Sequence, residues 1–189
     1  MSRSIVVIGA SLGGLAALRE ILARLPEDFP FPVAVAQHRA SADQEVREAL
    51  AEVLSRCGPL RVVDAEDKAP VEPGRVVLAP AGYHLLVEDQ HYALSTEESV
   101  SFARPSVDVL FESASHARGA GVVAVVLTGA SRDGAAGVLA VRNAHGRVLV
   151  QDPADAEAPT MPRAALDALG LPRGLPLNKL ADELAGLRM

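Results

Sequence analysis

The feature that most constrains this chain is a series of short β-branched runs with no polar alternation, such as Ile5-Val6-Val7-Ile8, Val33-Ala34-Val35-Ala36 and Val122-Val123-Ala124-Val125-Val126. A strand with one wet face alternates apolar and polar residues, so runs apolar on both faces belong in a sheet covered on both sides. We place strands at 5–8, 33–36, 61–63, 75–79, 122–128 and 147–150. Between them, apolar residues recur at helical spacing over 15–25, 43–56, 106–117 and 134–144. Strands alternating with helices predict an α/β protein, a three-layer α/β/α, doubly wound, mostly parallel sheet. Residues 84–87 and 91–94, separated by Glu88-Asp89-Gln90, predict a small antiparallel hairpin. The 155–160 stretch, bounded by Pro153 and Pro159, reads as a loop, and a last amphipathic helix is expected over 178–187.

The length of 189 residues suits one domain spanning 1–189. With 49% hydrophobic residues the chain can build a core without metals or disulfides. Its single cysteine, Cys57, excludes an internal disulfide and any multi-cysteine metal site, and fits a reducing, cytoplasmic setting. The apolar stretch after Met1 is too short for a signal peptide, and no later run approaches the roughly 20 residues of a membrane span. A net charge of -6 and 3% aromatic residues argue against nucleic-acid binding, which needs basic stripes and stacking platforms.

Parallel sheets bind ligands beyond the carboxyl ends of their strands. Three chemically capable residues fall there. Ser11 follows the first strand within Gly9-Ala10-Ser11-Leu12-Gly13-Gly14, His38 follows the second, and Asp133 follows the late strand at 122–128. A serine hydroxyl becomes a nucleophile when an imidazole takes its proton and a carboxylate fixes that imidazole's tautomer. Glycines around Ser11 permit a tight turn, and amides at a helix start can stabilise an oxyanion.

Each residue also has a plainer reading: Ser11 and Asp133 as helix caps, His38 as a loop residue. A dinucleotide fingerprint fits poorly, because serine replaces its central glycine and Gln37-His38 stands where an acidic residue is expected. The Gly-x-Ser-x-Gly elbow of α/β-hydrolases also fits poorly, since that family orders serine, acid, histidine and this chain orders serine, histidine, aspartate.

Taken in order, the segments VVIGASLGGLAAL, AQH, VEPGRVVLAPAGYHLLVE, RPSVDVLFESAS, VVLTGASRDGAAGVLAVR and TMPRAAL resemble the catalytic domain of the chemotaxis protein-glutamate methylesterase, CheB. The resemblance implies a three-layer α/β/α fold and hydrolysis of γ-glutamyl methyl esters on receptor signalling helices, with glutamine deamidation as a related activity. It implies Ser11 as nucleophile, His38 as base and Asp133 as orienting carboxylate. Leu12, Gly13 and Ala130 fall on the oxyanion and substrate loops. The resemblance implies no metal or organic cofactor.

The chain departs from the family pattern at Leu12, where threonine is usual, at Ala130-Ser131-Arg132 in the TGMGxDG loop, and at Ala103 before RPSVD. A non-catalytic module of the same fold, or an esterase for another substrate, are therefore alternative readings. Arg39 and Arg132, beside the base and the acid, are candidates for docking an acidic receptor helix, and Arg104 for capping or bracing the helix that follows it. His84, His91, His116 and His145 show no metal-ligand spacing and are expected at the surface or in the hairpin. Because many family members carry a receiver domain ahead of the esterase and this chain starts near its first strand, we expect constitutive activity or control by a separate regulatory protein.

Overall fold

The computed structural model describes residues 4–39 and 44–188, with only the backbone described for 44–49. Among the described residues, eight strands and six α-helices follow in the order β1 (Ile5–Ala10), α1 (Gly14–Leu22), β2 (Val33–Gln37), α2 (Gln44–Ser55), β3 (Arg61–Asp64), β4 (Arg75–Leu78), β5 (His84–Val87), β6 (Tyr92–Ser95), α3 (Val107–Arg118), β7 (Val122–Val126), α4 (Ala135–Asn143), β8 (Arg147–Val150), α5 (Thr160–Leu169) and α6 (Leu177–Ala185). Six strands form one sheet in the order β3-β4-β2-β1-β7-β8, every neighbouring pair parallel. β5 and β6 form the separate antiparallel pair, with Leu85 opposite Leu94.

Successive side chains of a strand point to opposite faces, and here both faces are dry. Ile5 and Val7 enter a core shared with α3, α4 and α5 through Leu110, Phe111, Val138, Val141 and Ala165. Val6, Ile8 and Ala10 enter a second core with Leu18 and Ile21 of α1 and Leu180 and Leu184 of α6. This is the three-layer arrangement that the unbroken β-branched runs predict. Each fully buried aliphatic side chain contributes roughly 1.5–3 kcal/mol relative to exposure.

β2 lies on one side of β1 and β7 on the other, so the winding reverses at β1. Such a reversal opens a crevice at the carboxyl end of the central strands. Ser11 stands directly at that point.

Some boundaries differ from expectation. β7 ends at Val126, because beyond it the N–H of Thr128 bonds the side-chain Oε1 of Gln151 at 2.9 Å instead of another strand. α5 has no counterpart among the expected helices: its prolines, Pro159 and Pro162, sit at the N-cap and in the first turn, where proline lacks nothing the helix needs. Asp43, where the second helix was expected to start, lies outside the described residues. Among the described residues, no helix is long and apolar enough to cross a membrane.

Candidate active site

Four connections at the carboxyl edge of the sheet are stitched into one unit. The N–H of Ser11 bonds Thr128 O at 3.0 Å, the N–H of His38 bonds Ala10 O at 2.9 Å, and the N–H of Gly129 bonds Ala158 O at 2.9 Å. Thr128 Oγ1 donates to Leu12 O at 2.8 Å and accepts from the N–H of Ala158 at 2.8 Å. The 155–160 loop therefore buttresses the turn that carries the serine.

That turn needs its glycines. Gly13 sits at φ 79, and a Cβ there would come 2.8 Å from the Glu157 side chain. At Gly14 a Cβ would come 2.1 Å from Gln37 Oε1. Gln37 is buried so closely because its Nε2 donates to Ser11 O at 2.8 Å and His38 O at 3.1 Å, tying the serine and histidine backbones together.

His38 Nε2 lies 2.7 Å from Asp133 Oδ2. Asp133 is 0% exposed, and all its acceptor capacity is used. Oδ2 also accepts from the N–H of Val107 at 2.7 Å, while Oδ1 accepts from Ser106 Oγ at 2.8 Å and the N–H of Asp108 at 3.0 Å. Two of these donors are the first amides of α3, where the helix dipole also favours an anion. Burial alone would raise the Asp133 carboxyl, but the bonds from His38, Val107, Asp108 and Ser106 outweigh it and hold it below the ordinary carboxylate range. Asp133 thus keeps its charge, and its contact sets the tautomer: Nε2 carries the proton donated to the carboxylate, leaving the Nδ1 lone pair available.

Ser11, Leu12, Gly13, Gln37 and His38 line one cleft of about 950 Å³, together with Leu15, Ala16 and Arg19 of α1 and with Ala81, Gly82, Phe102, Ala103 and Arg104. Among the described residues, the Ser11 hydroxyl and the N–H groups of Leu12 and Gly13 have no hydrogen-bond partner. His38 lies in the loop after β2, while Ser11 and Asp133 do not cap the helices that follow them. The N-caps of α1 and α4 are Gly13 and Gly134, neither with a side-chain cap bond, and Asp133 binds the start of α3 instead.

Other sequence candidates are placed differently. Arg39 lines the cleft, but its side chain is only 8% exposed and pairs with Asp64 at 3.1 Å, which removes it as a solvent-facing docking residue. Arg132 is exposed but lines a separate depression with Pro159, Thr160, Arg163 and Asp167. Ala130 is exposed on the loop leading to Asp133. Arg104 does not cap α3; its Nη1 donates to Thr96 O at 2.8 Å and Glu97 O at 2.9 Å. His84 lies in the hairpin yet is 1% exposed, because Nε2 donates to Glu98 O at 3.0 Å and Nδ1 accepts the N–H of Ser106 at 3.2 Å.

Sequence reasoning missed Ser106, Asp108, Gln37 and Thr128 as parts of the site. Only Ser106 carried a usable signal, being a helix-capping type directly before the apolar-periodic α3. Asp108 accepts the N–H of Gly137 at 2.7 Å. Its carboxyl is pushed up to about 6, first by burial and further by the neighbouring Asp133 charge. Among the described residues, no cluster of three or more His, Cys, Asp or Glu is placed to hold a metal.

A wound sheet whose switch-point cleft holds a serine and an imidazole bonded to a buried carboxylate has the parts of a hydrolase that works through an activated serine. The comparisons narrow the class: the CheB methylesterase family model matches residues 6–184, and the chain belongs to that family. A putative protein-glutamate methylesterase/protein-glutamine glutaminase of Leptospira interrogans is 39% identical over 184 residues, covering 96% of this chain and 93% of that protein. Protein-glutamate methylesterase/protein-glutamine glutaminase 1 of Carboxydothermus hydrogenoformans is 39% identical over 189 residues, covering 97% of this chain but 55% of that protein. The crystal structure of the Thermotoga maritima CheB methylesterase catalytic domain superposes with a TM-score of 0.93 at 31% identity, covering 100% of both chains.

Proposed function

We propose that the protein hydrolyses γ-glutamyl methyl esters on the signalling helices of chemoreceptors, giving glutamate and methanol, and that it deamidates glutamine at the same kind of position. The single observation that carries this reading is that His38, which lines the same cleft as Ser11, pairs at 2.7 Å with the buried, ionised Asp133. Family membership and the names of the relatives supply the substrate class.

In this mechanism the Ser11 hydroxyl, bound to no other group, turns toward His38 Nδ1, which takes its proton as Oγ attacks the ester carbonyl. Asp133 stays charged and stabilises the imidazolium through Nε2–H. The N–H groups of Leu12 and Gly13, without partners and at the start of α1, are the donors for the oxyanion. Collapse returns the Nδ1 proton to the departing methoxide, which leaves as methanol. Water then attacks the acyl-serine by the reverse proton route and frees the glutamate carboxylate. With glutamine the leaving group is ammonia.

Because the substrate helices would be the cytoplasmic parts of receptors, the reading places the protein in the cytoplasm. It is tested by following methanol release from a methylated receptor signalling domain. Wild type is expected to release methanol, and Ser11→Ala to lose roughly 10⁴-fold or more in kcat. Release undiminished in that variant would overturn the assignment.

A further inference from the structure

Exposed large hydrophobic residues crowd the mouth of the cleft. Among the described residues, Val53 and Leu171 lie away from it, but Leu12 at 56% exposure, Leu15 at 40% and Phe102 at 105% line it. Tyr83 and Val100 are also exposed, the first beside Gly82 in sequence and the second bonded to Ala103. Apolar surface gathered in one place, rather than scattered, marks a contact site.

Phe102 is held out by construction. Val100 and Ala103 exchange backbone hydrogen bonds of 3.1 and 2.9 Å, closing a two-residue turn in which Ser101 has φ 52 and Phe102 φ 62. Both central residues are left-handed, a geometry that favours Asn and Gly and that a bulky side chain resists. The turn is braced from behind: Arg104 holds Thr96 O and Glu97 O, His84 holds Glu98 O, and the N–H of Gly82 bonds Arg104 O at 3.3 Å. An aromatic ring kept fully in solvent on a strained, braced tip is an outlier that asks for a partner.

In the same lining, Leu12, Leu15, Ala16 and Arg19 recur at intervals of three and four and form one stripe at the start of α1. The cleft, at about 950 Å³, is several times larger than one methylated glutamate side chain. That leaves room for more of a helix than the esterified side chain alone. Residues three or four apart on a helix are neighbours, about 5–6 Å between Cβ atoms, so an ester at Ser11 brings the next turn's side chain to the lips. A glutamate-bearing helix is acidic, and Arg19 is exposed on the α1 stripe to meet it.

We propose that Phe102, with Leu12 and Leu15, is an apolar clamp for the substrate helix, Phe102 taking an apolar side chain one turn from the esterified glutamate while Arg19 faces its acidic residues. The clamp rests on the receptor-methylesterase reading, since it names how that substrate is held.

The test compares wild type with Phe102→Asn, which suits a left-handed position and so leaves the turn intact. Each is assayed on a methylated receptor signalling domain and on p-nitrophenyl acetate, an ester too small to span the lips. The ratio of receptor to small-ester kcat/KM is expected to fall about tenfold or more, mainly through KM, as for loss of a buried aromatic anchor. An unchanged ratio, with receptor turnover intact, overturns the clamp and leaves the methylesterase reading standing. Wild type active on the small ester but inert on the receptor domain contradicts the receptor reading, and the helix occupant with it.

Discussion

The floor and the lips of the cleft are built on opposite principles. At the floor, Asp133 is fully buried and accepts four hydrogen bonds, from His38, Ser106 and two α3 amides, before any ligand arrives. At the lips, Leu12 and Phe102 present apolar surface to water. On the proposed reading the floor is preorganised electrostatics that acts on any ester reaching Ser11, and the lips act on recognition. Damage to the floor should therefore reduce turnover of every substrate alike, and damage to the lips should be selective.

The largest effect that would break this contrast is expected at Asp133. Asp133→Asn keeps the volume but puts an amide against donors that need an acceptor, and frees His38 to take the wrong tautomer. Steady-state kinetics should show kcat down by about 10³–10⁴ on receptor and small ester equally. A loss confined to the receptor would mean that Asp133 serves binding. Ser106→Ala removes one donor to Asp133 and the side-chain cap on the N–H of Val109. Thermal or urea unfolding should show a loss of about 1 kcal/mol, with a smaller, substrate-independent drop in kcat. An unchanged unfolding midpoint would contradict the cap.

At the lips, Leu12→Ser is expected to raise KM for the receptor domain several-fold while the small-ester rate falls far less. Equal losses on both substrates would move Leu12 from the lips to the floor.

The smallest effect concerns pH and the two buried carboxylates. Asp133 is held below its ordinary value, so its contribution to stability is full above about pH 4 and is lost as pH falls through the lowered folded value. Asp108 is pushed up to about 6, so folding favours its neutral form; that contribution is full below about pH 4 and is lost as pH rises through about 6. Asp108→Asn, which stays neutral, should therefore gain Tm relative to wild type as pH is raised from about 4 to about 8, by a few degrees. A Tm difference that does not vary with pH would show that Asp108 is not disfavoured as an anion.

What was legible in the sequence follows the same division. Ser11, His38 and Asp133 each come shortly after a β-branched run, and the ends of parallel strands converge, so their proximity could be read without coordinates. Most of the floor's support could not: His84 and Gln37 act through contacts between elements distant in sequence, and Ser106 could be read as the cap of α3 but not as a donor to Asp133. Arg39 reads as a free cation until the order β3-β4-β2 brings Asp64, at the end of β3, to its side. α5 was hidden because prolines that a helix tolerates in its first turn look like loop signals. Phe102 gave no sign of a tight turn, since neither Ser101 nor Phe102 is a residue such turns favour.

The most direct test of the central claim, that the His38–Asp133 pair activates Ser11, is labelling by a fluorophosphonate reagent followed by peptide mass spectrometry. The account predicts a stoichiometric adduct on Ser11 in wild type and its loss in His38→Ala and Asp133→Asn variants that remain folded. Absence of an adduct on Ser11 in the folded wild type, or equal labelling in all three proteins, would contradict it.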